Sequence, residues 1–180
     1  MILLPQDFEQ ERYGLSMRLV DKSDAEFIIK LRTDPVLSKY LHPISSSKAE
    51  QVKWIEDYKL KEQMGSEYYF VFSVKGFRIG LERIYNIEDD TFTHGSLVFD
   101  YSAPLGSSIL ADISTREIGF DLLDKQYNLF DVRKGNTSVI DYHKMFKPKL
   151  IREDLDSYFY VLDKLDFSVN KNKYLKIVKY

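Results

Sequence analysis

A short run of small residues, Gly106-Ser107-Ser108-Ile109, follows an apolar strand pattern and precedes a helical one. Backbone N–H groups in such a turn point outward, and the N-terminus of the next helix carries about half a positive charge. These features favour binding of a phosphate or pyrophosphate, and the two serine hydroxyls add donors. The turn therefore predicts an anion site, with an ordinary chain reversal as the alternative.

Several titratable side chains have types and positions suited to acid–base chemistry. Glu82 lies in the middle of a strand pattern, where a charge is costly unless it faces a cleft or a partner, and it is our first candidate for a general base. His94 on the next strand is the second candidate, with a solvated strand-edge histidine as the alternative. Asp100, near the turn, is a third.

Asn136 and His143 are spaced for a shared role on one helix. They are seven residues apart, which is about two helical turns, so both side chains lie on one face. A histidine can act as an acid when its pKa suits the working pH. The alternatives are that Asn136 is a helix N-cap and that His143 is a helix-end residue stabilised by the dipole.

Composition excludes several classes of function. The chain has 180 residues, a net charge of −2 and no cysteine. We therefore expect no overall positive field that would attract nucleic acid, no disulfide and no reaction through a cysteine thiolate. The three histidines, at positions 42, 94 and 143, lack the spacing of metal ligands, so no metal site is predicted. No apolar run approaches the ~20 residues that span a bilayer, and we expect a cytoplasmic protein without membrane partners.

Apolar periodicity predicts one domain over residues 1–180, in the order β, α, α, three β, α, β, α, β, β. Ser23 is the expected N-cap of the first helix, with Glu26 as its capping-box partner, and the run Ser45–Ser47 is expected to cap the second. Residues 164–180 read as a final strand or helix. The predicted strands cover residues 16–20, 68–74, 79–86, 92–99, 130–133, 150–151 and 157–162.

Several short segments resemble the GNAT superfamily of acetyl-CoA-dependent N-acetyltransferases, most closely the branch that acts on ribosomal proteins and amino sugars. Each segment is short, and their order along the chain carries the resemblance over about residues 17–162. The matching segments are Met17–Val20 with Ser23–Ala25, Leu31–Pro35, Ile79–Asn86, the turn Ala103–Ser108 and Val132–Phe146.

The resemblance implies a mixed α+β, GNAT-like fold with a mostly antiparallel sheet of about seven strands and about four helices. It implies acetyl-CoA as co-substrate. The pyrophosphate would lie on the turn at Gly106, Ser107, Ser108 and Ile109, and the pantetheine would pair with Leu97, Val98 and Phe99 and contact Asn136. Relatives often place a tyrosine that protonates the leaving thiolate where this chain has His143.

The implied reaction is direct transfer of acetyl to a primary amine within a ternary complex. The acceptor expected first is a nucleotide-linked amino sugar; a protein N-terminus, a polyamine and an antibiotic amine remain open. Tyr85 and Asn86 are expected to line the acceptor cleft. Ala103 and Ser108 depart from the family's loop, which has Gln or Arg at the first position and a second small Gly or Ala at the other. These departures leave a second reading open, a GNAT-like binding module without turnover.

An edge strand at Ser157–Leu162 leaves a homodimer open.

Overall fold

One sheet of eight strands forms the centre of the fold, in the order β1-β2-β3-β4-β5-β6-β8-β7. The computed structural model describes residues 2–177. Neighbouring strands are antiparallel except β5 and β6, which are parallel. The strands are β1 Glu9–Arg12, β2 Leu15–Leu19, β3 Glu67–Val74, β4 Phe77–Tyr85, β5 Thr91–Phe99, β6 Tyr127–Arg133, β7 Lys149–Glu153 and β8 Ser157–Asp163.

Helices cover both faces of this sheet. A 3-10 turn at Lys22–Asp24 leads into the first helix, and a π-helical turn at Ile118–Leu122 extends the third. Within residues 2–177, none of the helices has both the length and the apolar character needed to cross a membrane. The helices are α1 Ala25–Thr33, α2 Lys48–Gln63, α3 Ser107–Glu117, α4 Thr137–Lys144 and α5 Lys164–Ile177.

Alternation along β3 divides the interior into two cores. Phe70 and Phe72 pack with residues of α3, α4 and α5, whereas Tyr69 and Val71 pack with α1 and α2. Successive side chains of a strand point to opposite faces, so a strand covered on both sides is apolar throughout its covered part, as Tyr68–Phe72 is. The sheet thus separates an α1/α2 face from an α3/α4 face.

The expected helix starts are confirmed in one case and wrong in another. Ser47 caps α2, and its hydroxyl accepts a hydrogen bond from the Glu50 amide at 3.3 Å. Ser23 does not cap the first helix, because Asp21 takes that role and its carboxylate accepts from the Ser23 amide at 2.7 Å. Asp24, not Glu26, completes the capping box. Because Asp21 precedes Ser23, the helical segment begins earlier in the chain than predicted.

The mixed α+β fold is confirmed, with two differences at the sheet edges. The strand β1, a polar segment with no apolar alternation, was not predicted, so the sheet has eight strands instead of about seven. Strand β8 lies between β6 and β7, so the expectation that Ser157–Leu162 is an exposed edge is wrong. The tail at 164–177 is a helix, and residues 178–180 of the predicted tail lie outside the described residues.

Gly119 is required by packing in the π-helical turn. A Cβ at this position would lie 2.5 Å from the Cε1 and Cε2 atoms of Phe92. Phe92 is fully buried and packs edge-on against Phe120, with ring centroids 5.1 Å apart, so its ring has little room to move. We expect Gly119→Ala to destabilise the protein by about 1–3 kcal/mol because the core becomes overpacked.

Helix propensity acts in the opposite direction and favours alanine by at most about 1 kcal/mol. The free energy of unfolding, measured by urea denaturation, therefore separates the two effects. A stabilised variant would show that the Phe92 ring can move aside.

Candidate active site

A gap between β5 and β6 forms the first part of the site. The two strands pair only where Thr91–Thr93 meets Tyr127–Leu129. Beyond that point β6 stays paired with β8 and β5 stays paired with β4, so the parallel neighbours separate. We call this opening the strand gap. It is lined by Tyr40, Leu41, His94–Leu97, Asp112, Phe130–Arg133, Asn136, Val139 and His143.

A bulge in β5 accompanies the separation. The register between β4 and β5 shifts between Leu81 and Arg83, and Ser96 has a left-handed φ of 59°. Bulges twist a strand and redirect its side chains and backbone groups, and they often lie next to active sites. Here the bulge turns Ser96 and Leu97 of β5 toward the strand gap.

The turn predicted to bind an anion lies at the end of β5. Gly106 precedes α3 with φ 87°, and the first turn of α3 contains no acidic residue. Within the described residues, the amides of Gly106, Ser108 and Ile109 have no backbone acceptor, whereas the Ser107 amide donates to the Pro104 carbonyl at 3.0 Å. Three of the four expected donors are therefore available to an anion.

Asp100 has a structural role beside this turn. Its carboxylate accepts hydrogen bonds from the Ser102 amide and hydroxyl and forms an ion pair with Lys30. The Lys30 ammonium and the Ser102 donors lower the pKa of Asp100 to about 2. A carboxylate with so low a pKa is a poor proton acceptor at neutral pH.

A cluster of buried polar side chains lies behind the strand gap. Arg116 of α3 is fully buried, and its Nε lies 3.0 Å from Asp112 Oδ2. Its Nη2 lies 2.8 Å from His143 Nδ1 and 3.2 Å from His94 Nε2. Tyr142 donates to the same Asp112 oxygen at 2.6 Å. The cluster joins α3, β5 and α4.

The charges in this cluster are set by Arg116. Burial opposes ionisation of Asp112, but the adjacent Arg116 guanidinium holds the pKa of Asp112 below its usual range. Burial raises the pKa of Glu82 well above 4.5, and the Asp112 charge raises it further. One guanidinium is thus balanced by one carboxylate, and burial together with the Asp112 charge favours the protonated form of Glu82.

Both histidines are uncharged for related reasons. Burial lowers the pKa of His143 well below 6.5, and the Arg116 charge lowers it further. The same two causes lower the pKa of His94. A guanidinium has only donors, so His143 Nδ1 must be the acceptor and its proton is assigned to Nε2.

His94, Asp112 and His143 also have the donor set of a metal site, with ligand atoms within 4.8 Å of one another. Arg116 lies against both imidazoles and the carboxylate, where a cation would otherwise lie. The guanidinium supplies the positive charge, so this arrangement does not fit a metal ion.

The structure brings some of the predicted catalytic residues together and separates others. His94 and His143 line the strand gap, and the alternative of a solvated edge for His94 is wrong because it is 5% exposed. Glu82 was expected to face a cleft. It is instead enclosed between β4 and α3, and it does not line the strand gap.

The predicted binding residues are also divided. Leu97 and Asn136 line the strand gap, and Asn136 precedes α4 without making a side-chain capping bond. Val98 is buried against the α1/α2 core, and Phe99 covers Gly80, so these two residues offer backbone rather than side chains.

A second opening lies on the α1/α2 face, and we call it the helix cleft. Its volume is about 380 Å³. Of the two predicted acceptor residues, Tyr85 packs on Arg83 at the border of this cleft, and Asn86 lies beyond the end of β4 and lines neither opening. The helix cleft is lined by Ile28, Arg32, His42–Ser45, Glu50, Gln51, Trp54, Tyr69 and Arg83.

Arg116 and Asp112 were missed by the sequence analysis. The signal that could have found them is a pair of opposite charges at i and i+4 on a helix whose other residues, apart from Glu117, are apolar or carry only a small hydroxyl group.

The sequence matches no protein-family model and no curated protein. Solved structures match over nearly the whole chain. Apo FdhC, described as a nucleotide-linked sugar GNAT, is 28% identical, with a TM-score of 0.85 over 96% of this chain and 99% of that one.

Two more distant structures share the fold. Ribosomal-protein-S5-alanine acetyltransferase from Vibrio fischeri is 15% identical, with a TM-score of 0.75 over 89% of this chain and 99% of its own. Spermidine N-acetyltransferase from Vibrio cholerae, solved with CoA and spermine, is 14% identical, with a TM-score of 0.74 over 87% and 99%. The resemblance to the GNAT superfamily is thereby confirmed.

The raised pKa of Glu82 predicts how stability depends on pH. Above about pH 4.5 the unfolded chain releases a proton that the folded protein keeps, so Glu82 makes the free energy of unfolding fall as pH rises. The fall is at most about 1.4 kcal/mol per pH unit. Glutamine resembles the neutral acid, so we expect Glu82→Gln to gain stability over the wild type progressively as pH rises.

Urea denaturation between about pH 5.5 and 8 measures this difference. Glu88→Gln, in an exposed turn, is the matched control and should differ from the wild type by a constant amount. A constant difference for Glu82→Gln as well would show that Glu82 is ionised in the folded protein.

Proposed function

We propose, from its GNAT fold, that this chain transfers acetyl from acetyl-CoA to a primary amine, and that the acceptor is a nucleotide-linked amino sugar. One observation carries the proposal: the strand gap combines unpaired strand backbone with two buried histidines, and β5, which borders it, continues toward the open N-terminus of α3.

The residues present fit acetyl-CoA as co-substrate. The backbone of Leu97–Phe99 is unpaired on the side facing β6 and can pair with the amides of a pantetheine arm. The amides of Gly106, Ser108 and Ile109 can hold a pyrophosphate without the long side chain that Ala103 replaces. The substitutions in the loop therefore remove one side chain but leave the main-chain donors in place.

We assign to His143 the role of hydrogen-bond donor to the leaving sulfur. The imidazole is neutral, so it donates a hydrogen bond from Nε2 to the developing thiolate. Arg116 fixes this tautomer by occupying Nδ1. Tyr142, the neighbour of His143, is held by Asp112, and its pKa is raised by burial and by that carboxylate, so it does not replace His143.

We assign to His94 the role of the base that accepts the proton of the amine. As the amine nitrogen forms its bond to the carbonyl carbon, it loses a proton to His94, and the C–S bond then breaks. Asp112 Oδ1, 3.1 Å from His94 Nε2, stabilises the transient imidazolium, and the proton passes to the sulfur to give the thiol. A strand N–H near Val98 would hydrogen-bond the carbonyl oxygen during attack.

Acetyl-CoA binding is the first test. At about 100 times its dissociation constant, a ligand that binds only the folded state adds about 2.7 kcal/mol of stability. For a chain of this size that corresponds to a rise in Tm of about 5–10 °C, measured by thermal shift. An unchanged Tm at saturating acetyl-CoA would contradict the proposal.

The same experiment separates an enzyme from a binding module. A rise in Tm without thiol release from acetyl-CoA, across a panel of amino sugars, polyamines and peptides, would favour the module.

His143→Gln tests the role of the imidazole. Glutamine keeps a donor but not its position, so we expect kcat to fall about 10²–10³-fold while KM for acetyl-CoA changes little. Thiol release under saturating substrates measures kcat. Asp141→Asn, an exposed neighbour on α4, is the control and should leave kcat unchanged. A His143→Gln variant with wild-type kcat would exclude this role.

A further inference from the structure

Arg32 in the helix cleft is a buried cation without a carboxylate partner. It is 8% exposed, and its Nη2 donates to the His42 carbonyl at 2.7 Å. Among the described residues it forms no ion pair, whereas Arg18, Arg78 and Arg83 on the strands beside it each do so. Buried charges are normally paired, because an unpaired one costs several kcal/mol in ordinary proteins.

Three donors of the helix cleft are also buried without hydrogen-bond partners in the described part of the chain. They are Arg32 Nε, the Tyr69 hydroxyl and Arg83 Nε. Burial raises the pKa of Tyr69, and the charges of both arginines oppose that rise, which places the hydroxyl near the two guanidiniums. A group of donors around an uncompensated positive charge is suited to a phosphate or carboxylate.

The acidic residues nearby do not neutralise Arg32. Glu67 forms an ion pair with Arg83 from the neighbouring strand, so that pair is already balanced. Glu50 lines the cleft but is exposed and forms no ion pair with either arginine in residues 2–177. The positive charge of Arg32 therefore remains for a ligand, and it would repel a polyamine.

The cleft is also open and partly apolar. Ile28, Ile44 and Trp54 form its walls, and Trp54 is 37% exposed. Arg83 lies over the Trp54 and Tyr69 rings at 5.6 and 5.7 Å, which holds the guanidinium in place. A volume of about 380 Å³ is large enough for more than an isolated anion.

We propose that the helix cleft is a diphosphate-binding subsite, in which Arg32, Arg83 and Tyr69 hold the diphosphate of a nucleotide-linked acceptor and Trp54 contacts the attached nucleoside. This rests on the proposed acceptor class and assigns it to particular residues. The subsite lies on the α1/α2 face, apart from the turn at Gly106 that would hold the pyrophosphate of acetyl-CoA.

The test uses uridine and thymidine diphosphates as probes, with the protein saturated with CoA so that its own nucleotide site is filled. Isothermal titration should show that the diphosphates bind at least about tenfold more tightly than uridine and thymidine. Equal binding of diphosphate and nucleoside would overturn the proposal. Inorganic pyrophosphate binding as tightly as the nucleotides would overturn the nucleotide assignment.

Two variants assign the binding to this cleft. Arg32→Gln removes a charged donor and should weaken the diphosphates about 10–100-fold. Tyr69→Phe removes only a hydroxyl without a partner, so it should keep Tm and still weaken them several-fold. Arg152→Gln, on the edge strand β7, is the matched control and should bind as the wild type does. Unchanged affinity in both cleft variants would overturn the proposal.

The thermal shift with acetyl-CoA distinguishes failure of the subsite from failure of the function. Acetyl-CoA binding and thiol release with a simple amine, together with no diphosphate binding, would overturn the subsite alone. Loss of acetyl-CoA binding in the wild type would overturn the proposed activity.

Discussion

The buried ion pair of Arg116 and Asp112 is the interaction on which the interior of the site depends. Removing one partner of such a pair leaves an uncompensated charge and costs about 3–5 kcal/mol. Here the cost would spread further, since Arg116 also fixes the tautomer of His143 and lies over the Phe130 and Phe146 rings at 5.0 and 4.9 Å. The pair therefore joins α3 to β6 and α4, and the charge of Asp112 adds to burial in raising the pKa of Glu82.

A second constraint is the choice of partners that β5 and β6 make within the sheet. β6 runs its full length against β8, and β5 is paired with β4 as far as Phe99, so the two parallel strands share only three residues at their start. The strand gap is the unpaired remainder. Its exposed backbone would be a liability in most sheets. In this fold it leads to the N-terminus of α3, where more unpaired amides lie.

The sequence predicted the helices and strands better than it predicted the environment of individual side chains. Periodicity and turn residues located the strands β3, β4 and β5, the helix α2 and the turn at Gly106, because these features depend on the local sequence. β1 was missed because its residues, Glu9–Arg12, are polar and exposed and carry no alternation. Glu82 was placed on the correct strand, but alternation gives two faces without saying which is covered by α3. Arg32 was missed for the same reason, since long-range packing alone reveals that it is buried.

The two openings meet at one point in the sheet, and this decides how the reaction can proceed. Arg83 of the helix cleft is paired in register with Gly95 of the strand gap, and the adjacent residues Leu41 and His42 line one opening each. An acceptor held by its anionic end near Arg83 thus presents its other end toward the backbone at Gly95. A thioester in the strand gap would reach the same border from the opposite face. Holding two reactants at such a contact can supply about 7–11 kcal/mol of the barrier lowering, and in the proposed reaction the pairing of β4 and β5 would fix that contact.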